Sequence, residues 1–188
     1  MNSPSDAIRL QPIRRIVTGT DAQGQSIILS DGPSPHRMTI GGAEAHGVTD
    51  LWRTASGLAD EGTLPDPCGV PVQLMPPRGG TVFRIVEIPP DDEWMKAGVD
   101  RRDVFGALGE TALQALSQDD ARHALMHKTA TIDYAVVLAG EVWALLDRDE
   151  TKMLAGDVLI QRGTNHGWAN RSSAPCLIMF VLVDAPNL

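Results

Sequence analysis

The chain has 188 residues, of which 24 are acidic and 16 are basic, so its formal net charge at pH 7 is −8. A surface with this excess of negative charge repels phosphate backbones and anionic lipids, so neither nucleic acid nor a membrane surface is an expected partner. Hydrophobic residues make up 43% of the sequence, which is enough for a packed core and excludes wholesale disorder.

The length favours a single domain over 1–188. Cys68 and Cys176 form no CxxC unit, and two thiols cannot define a disulfide framework or a zinc knuckle, so we expect buried thiols in a reducing compartment. The N-terminal stretch lacks the apolar segment of a signal peptide, and no apolar run approaches the roughly 18 residues of a membrane span. A cytoplasmic protein is therefore expected.

Residues 14–90 are predicted to form N-terminal strands and loops. The segments RRIVTGT and QSIILS flank a turn that contains Asp21 and Gly24, a pattern typical of a β-hairpin. The prolines and the glycine within 31–35 indicate that the chain leaves the sheet there.

Short strands are also expected beyond this hairpin, at 38–40 and 49–54. The segment 55–80 is rich in proline and glycine, and alternation of polar and apolar residues cannot persist through it, so a loop is predicted. TVFRIVEI at 81–88 has the composition and alternation of a strand, and the proline pair that follows ends it.

In the next stretch, 91–118, the apolar residues change from the alternating spacing of a strand to that of a helix, so a helical insertion is predicted. Apolar residues such as Val104 and Leu108 recur at helical spacing, and acidic residues at the start suit a helix N-terminus. We expect a short helix near 92–97 and a softer one near 103–117, because each glycine within it costs about 1 kcal/mol relative to alanine. The insertion either covers the mouth of a barrel or packs on its outer face.

From 120 to 184 the pattern predicts strands again. Many short strands separated by glycine turns indicate a sandwich, a jelly roll or a barrel. The last of them, PCLIMFVLVDA, is a continuous apolar run, which predicts burial on both faces. The predicted fold class is all-β.

Two histidines in this part of the chain stand among polar side chains. Residues of equal parity share one face of a strand, so an unbroken strand would place four side chains on one wall: His127, Thr129, Thr131 and Asp133. Such a face is too polar for a dry core and is typical of the wall of a site. His166 follows a glycine turn and shares its parity with Trp168. Taken singly, each histidine is better explained as a hydrogen-bonded structural residue.

Together the two stretches resemble the two-part signature of the cupin family, small β-barrels that commonly hold a metal. His127 matches the first histidine of the first motif, and Gly140 matches its closing glycine. The second motif is matched in order, with Gln161 where proline is usual, by Gly156, Gly163, His166 and Asn170. The matching region spans roughly 120–183.

This resemblance implies a cupin-type double-stranded β-helix, a jelly-roll barrel, with a short helical insertion. The strands of 120–184 would carry the motifs. Because cupins are often dimers, the resemblance also implies a homodimer, with the early hairpin as a candidate contact element.

Two positions depart from the cupin pattern, since Thr129 stands at the second histidine and Asp133 at the glutamate. The resemblance therefore implies a metal held by His127, His166 and Asp133. Two imidazoles and a carboxylate suit Fe, Mn, Ni or Zn as divalent ions and leave coordination positions open. Alternatively, Asp133 accepts the N–H of a ligating histidine. His123 is a substitute ligand only if the chain turns before His127.

The implied function is that of a metal-dependent small-molecule enzyme, with a dioxygenase, or a redox-neutral isomerase, decarboxylase or lyase, as the expected classes. Asp133 or Tyr134 would transfer protons, and the substrate pocket would include Thr129, Thr131 and Trp168. The missing histidine favours an alternative, a metal-free cupin-like protein that binds a small apolar ligand, lined in part by Trp143 and Met126. The sequence leaves the reaction, the substrate and the metal open.

Overall fold

The computed structural model describes residues 12–40, 46–56, 65–96, 98–117 and 121–187. Three predicted features lie wholly or partly outside these ranges. They are the N-terminal stretch without a signal peptide, residues 57–64 of the predicted loop, and the end of the first predicted helix at 97.

The described residues form eleven strands and three short helices. The strands are β1 (Arg14–Thr20), β2 (Ser26–Pro33), β3 (Arg37–Thr39), β4 (Gly47–Thr54), β5 (Thr81–Ile88), β6 (Thr131–Ala139), β7 (Glu141–Leu146), β8 (Glu150–Leu154), β9 (Val158–Arg162), β10 (His166–Ala169) and β11 (Cys176–Asp184). The helices are α1 (Asp91–Lys96), α2 (Arg101–Gly106) and α3 (Glu110–Ala115). The predicted all-β class is confirmed.

Two sheets pack face to face to make the barrel. The larger has six strands in the order β3-β4-β5-β11-β6-β9, and the smaller has three in the order β10-β7-β8. Side chains from both sheets fill the main core, including Val82, Val137, Val142, Met153 and Ile178. Burial in β11 alternates, with Ile178 fully buried and its neighbour Met179 only partly. The prediction that β11 is buried on both faces is therefore wrong, because only its inner face meets the smaller sheet.

The hairpin β1–β2 forms a separate two-stranded sheet. Its second strand continues to Pro33, opposite Arg14, so the chain leaves this sheet within the predicted segment 31–35, after Pro33. The next residue, Ser34, donates its N–H to the Ile13 carbonyl oxygen at 2.8 Å, and an edge strand tolerates a proline between such bonds. A homodimer formed through this hairpin stays a prediction.

Of the two predicted positions, the helical insertion takes the first: it covers the mouth of the barrel and does not pack on the outer face. The predicted helix near 103–117 is two helices, because Gly109 at φ +99° interrupts it. The insertion packs in one hydrophobic cluster with Ile40 and Val48 of the β3–β4 region and with Val72 and Leu74 of the loop before β5. Its side chains in this cluster include Val104, Phe105 and Leu108. The Leu108 carbonyl oxygen also accepts a hydrogen bond from Leu74 N–H at 2.8 Å.

None of the helices in the described part of the chain is long and apolar enough to cross a membrane.

Asp66 fastens the hairpin to the body of the protein. Its carboxylate accepts hydrogen bonds from Arg15 of β1 and from Cys68 N–H, and lies 2.9 Å from His36 Nε2. Burial acts to raise the pKa of Asp66, but the bonds from Arg15, His36 and Cys68 outweigh it and hold the pKa well below its ordinary value. The ionised carboxylate is thus favoured by the folded state.

Changing the motif glycine Gly140 to alanine is expected to destabilise the fold. Gly140 has φ +76°, and an added β-carbon would lie 2.5 Å from the Pro175 carbonyl oxygen. Gly156 is the matched control, because it has φ +95° but open space around it. We expect a loss of about 1–2 kcal/mol for Gly156→Ala and about 2–5 kcal/mol for Gly140→Ala in denaturant unfolding. Equal losses would contradict the steric argument.

Changing Asp66 to asparagine is expected to lower the free energy of unfolding at pH 7. A carboxylate whose pKa is depressed by folding stabilises the protein above its unfolded pKa of about 3.9, and this contribution fades as the pH falls below that value. The difference between wild type and variant should therefore narrow from pH 7 to pH 3. Asp31→Asn, which breaks an exposed pair with Arg14, should have a smaller effect. A difference independent of pH would contradict the proposed charge effect.

Candidate functional site

A cavity of about 120 Å³ lies between the barrel strands and α2. Its walls are mostly apolar, with Val104 and Phe105 contributed by α2 and Phe180 and Leu182 by β11. Five of its lining residues have polar or charged side chains: His46, Arg84, His127, Asp133 and His166. A largely apolar cavity with a few convergent polar groups is the usual form of a small-molecule site.

The two motif histidines are joined by their main chains. His127 N–H donates to the His166 carbonyl oxygen at 2.8 Å, and His166 N–H donates to the His127 carbonyl oxygen at 2.9 Å. This reciprocal pair is an isolated antiparallel bridge, and the two imidazole centroids are 4.3 Å apart. Backbone pairing thus places the side chains of both motifs together at the cavity.

Each imidazole is fixed by a main-chain carbonyl two residues before it. Nδ1 of His127 lies 2.8 Å from the Leu125 carbonyl oxygen, and Nδ1 of His166 lies 3.0 Å from that of Thr164. A carbonyl oxygen only accepts, so Nδ1 of His127 carries the proton and its Nε2 keeps the lone pair, which is the form in which imidazole binds a metal. Nδ1 of His166 also lies 2.9 Å from Gln161 Nε2, an amide nitrogen that donates, so its two neighbours favour opposite tautomers.

Burial keeps these histidines uncharged. It lowers the pKa of His127, against the opposing effect of the Leu125 carbonyl oxygen. Burial and the nearby His127 together lower the pKa of His166 to about 3. Burial likewise lowers the pKa of His46 to about 4. The three cavity histidines are therefore neutral at physiological pH.

Asp133 is the acidic residue of the cavity. It is 4% exposed, and burial raises its pKa to about 6, although the hydroxyl of Thr131 and the charge of Arg84 oppose the shift. Its Oδ1 is buried without a hydrogen-bond partner. Neither histidine donates Nδ1–H to this carboxylate, so the alternative role of orienting a ligating imidazole is not the arrangement observed.

Arg84 brings a buried positive charge to the cavity, and Asp50 compensates it. Arg84 Nε lies 3.0 Å from Asp50 Oδ1, and a terminal guanidinium nitrogen donates to the Gln73 carbonyl oxygen at 2.7 Å. Both side chains are almost completely buried. Burial of an ion pair of this kind requires such compensation.

The strand predicted to carry His127 is broken before it reaches the motif. Strand β6 begins at Thr131, and His127 belongs instead to the bridge with His166. Thr131 begins β6 on the same face as Asp133, yet neither Thr129 nor Thr131 is among the residues that line this cavity. Their hydroxyls lie 2.7 Å from each other, and Thr131 also bonds to Asp133. Thr131 thus contacts the Asp133 carboxylate, and Thr129 contacts Thr131.

Tyr134 also lies outside the cavity. It follows Asp133 on β6, so its side chain points to the opposite face, where it is 47% exposed. Tyr134 is not among the residues that line the cavity, so its hydroxyl is not placed there as the predicted proton-transfer group. Trp168 does line the cavity, with its ring edge-on to His166 at 5.9 Å.

Other candidate side chains have structural contacts elsewhere. His123 Nε2 lies 3.5 Å from Asp91 Oδ2, and His123 is not part of the cavity wall. Trp143 packs in a separate cluster with Met126 and receives the Arg171 guanidinium on its ring at 4.6 Å. Trp143 and Met126 therefore do not line the apolar cavity.

Three cavity residues were missed from the sequence. His46 directly precedes β4 and Arg84 lies on β5, so both are far from the two motifs in the sequence. Phe105 comes from α2, where its ring lies edge-on to His127 at 5.2 Å between centroids. A buried charge within an apolar strand, as at Arg84, is the one sequence signal that could have pointed to the cavity.

His127, His166 and Asp133 are residue types that bind divalent metals, but only the two histidines are close enough together to do so. Two neighbouring neutral imidazoles supply two suitable ligands. Within the described residues, no group of three or more His, Cys, Asp or Glu side chains is arranged to hold a metal ion. The predicted set of His127, His166 and Asp133 is thus assembled as a pair, with the carboxylate elsewhere in the same cavity.

Similar proteins come from fungal biosynthesis clusters. The phomopsin biosynthesis cluster protein C' of Diaporthe leptostromiformis is 32% identical over 187 residues, covering 94% of this chain and 80% of that protein. A cupin-domain-containing oxidoreductase of Neurospora crassa is 26% identical over 184 residues, covering 95% of this chain and 79% of that protein. No family profile matches the chain.

Solved structures with a similar fold include a cupin 2 conserved barrel domain protein from Salinispora arenicola. It is 13% identical, with a TM-score of 0.40 over 74% of this chain and 76% of that one. An ethanolamine utilization protein from Salmonella typhimurium is 13% identical, with a TM-score of 0.42 over 93% and 98% of the two chains. With similarity over 94% of its length to the phomopsin cluster protein and over 95% to a cupin-domain-containing oxidoreductase, the chain belongs to the cupin superfamily.

Proposed function

We propose that the protein is a small-molecule enzyme of the cupin type and that the cavity is its active site. The observation that carries this proposal is the His127–His166 pair at the cavity, whose neutral imidazoles have centroids 4.3 Å apart and in which the Nε2 lone pair of His127 is left for a ligand. Relatives named as cupin-domain-containing oxidoreductases support an enzyme and favour redox chemistry. A dioxygenase is one reaction of this class.

In this proposal His127 and His166 hold a divalent ion of Fe, Mn, Ni or Zn. When bound, such an ion supplies Lewis-acid or redox chemistry at its open coordination positions. Asp133 lies outside the pair, so we place it beside the substrate rather than on the metal. Its unpartnered Oδ1 is the group that would hold or accept a proton.

The remaining cavity residues would exclude water and hold the substrate. Phe105 covers His127 from the helical side, and Trp168 and Phe180 contact each other with centroids 5.4 Å apart behind His166. An apolar enclosure strengthens each electrostatic interaction inside it, because water does not screen the charges.

A second candidate function is metal-free binding or redox-neutral chemistry in the same cavity. It is favoured by the absence, in the described residues, of a group of three metal-binding side chains. In that case the neutral imidazoles and Asp133 would act as hydrogen-bonding and proton-transfer groups alone.

Metal content separates the two functions. In protein purified without added metal, we expect about one equivalent of a first-row divalent ion, because two imidazoles and open positions form a catalytic type of site. His127→Ala and His166→Ala should each lose most of it. His36→Ala is the matched control, because His36 contacts Asp66 away from the cavity, and this variant should keep its metal.

Thermal unfolding gives an independent measurement. A metal that binds only the folded protein raises the unfolding temperature, and the rise should be seen for wild type and His36→Ala but not for His127→Ala. Less than about 0.1 equivalent in wild type, together with no rise on titration, would reject the metal and leave the metal-free function.

A further inference from the structure

One carboxylate oxygen in the cavity lacks a partner. Asp133 is 4% exposed and lines the cavity, and its Oδ1 makes no hydrogen bond. The Thr131 hydroxyl bonds to the same carboxylate, and the 2.7 Å contact between the Thr129 and Thr131 hydroxyls holds that donor in place. A buried acceptor left open in this way is costly unless a bound molecule supplies a donor.

The described side chains of the cavity wall offer no free positive charge to an anion. Arg84 is the cationic side chain among them, and its guanidinium is paired with Asp50 and bonded to the Gln73 carbonyl oxygen. An anionic group placed beside Asp133 would face its carboxylate at the cost of its own hydration.

Size and polarity limit the occupant further. The cavity measures about 120 Å³, slightly less than an engineered apolar cavity of about 150 Å³ that binds benzene. Apart from the five polar side chains, its lining is aliphatic and aromatic. A molecule of about one ring, mostly apolar, fills such a space.

We propose that the cavity takes a small uncharged molecule, largely apolar and about one ring in size, whose hydroxyl or N–H group donates to Asp133 Oδ1. Repulsion by the Asp133 carboxylate disfavours carboxylates and phosphates beside it, and the volume of the cavity excludes sugar nucleotides. This inference names the substrate class of the site, and it rests on the proposed function only for the identification of the cavity as that site.

Three probes of similar size test this proposal on the full chain: benzene, phenol and benzoate. They share a ring and differ in carrying no donor, a neutral donor or a negative charge. In titrations followed by NMR, phenol should bind about 3- to 10-fold more tightly than benzene, the contribution of one net hydrogen bond. Benzoate should bind at least about 10-fold more weakly than phenol.

Two variants locate the effect at Asp133. Asp133→Leu keeps an apolar cavity without the acceptor, so benzene should still bind and the preference for phenol over benzene should disappear. Asp133→Asn keeps one acceptor oxygen and should retain a reduced preference, which covers the case in which the leucine variant does not fold. Benzene binding and the circular dichroism spectrum report whether each variant is folded.

Three results would overturn the proposal. They are benzoate binding as tightly as phenol, an unchanged preference for phenol in Asp133→Leu, and no binding of any probe to wild type.

Metal analysis of the same preparation distinguishes failure of the proposed substrate class from failure of the proposed function. Phenol binding without metal would reject only the metal, and metal without phenol binding would reject only the substrate class.

Discussion

The reciprocal main-chain hydrogen bonds between His127 and His166 are the constraint on which the site depends. They join segments that are 39 positions apart in the sequence and fix both imidazoles at one end of the cavity. The same segment is bonded on its other side to the end of the helical insertion, through Ser117 N–H to the Met126 carbonyl oxygen and Lys128 N–H to that of Ala115. Main-chain hydrogen bonds thus connect the end of the helical insertion, the segment of His127 and the segment of His166.

Electrostatics in the cavity follow from this enclosure. Because helix α2 and the barrel strands exclude water, the imidazoles stay neutral and the pKa of Asp133 is raised. The one strong cation, Arg84, is tolerated because Asp50 lies against it. The result is a polar cluster of low net charge within apolar walls, which suits an uncharged occupant better than an ionised one.

The second motif contributes more to folding than to chemistry. Asn170 donates to the carbonyl oxygens of Ile88 and Ala174 and accepts from Ser172, so it fixes the chain where β10 ends. Gln161, at the position of the usual proline, donates to the Thr164 carbonyl oxygen and holds the turn before His166. Of the matched residues in this motif, only His166 faces the cavity, and the others set its position.

The sequence by itself determined the all-β class, most strand positions and the two histidines, because alternation, turn residues and motif spacing are local properties. Two predicted site residues, Asp133 and Trp168, line the cavity. Only the tertiary structure decided the rest. Thr129 and Thr131 lie off the cavity wall, while His46, Arg84 and Phe105 reach the cavity from distant segments. Parity assigns a face only while a strand continues, and contacts between distant segments depend on register and packing that no local pattern encodes.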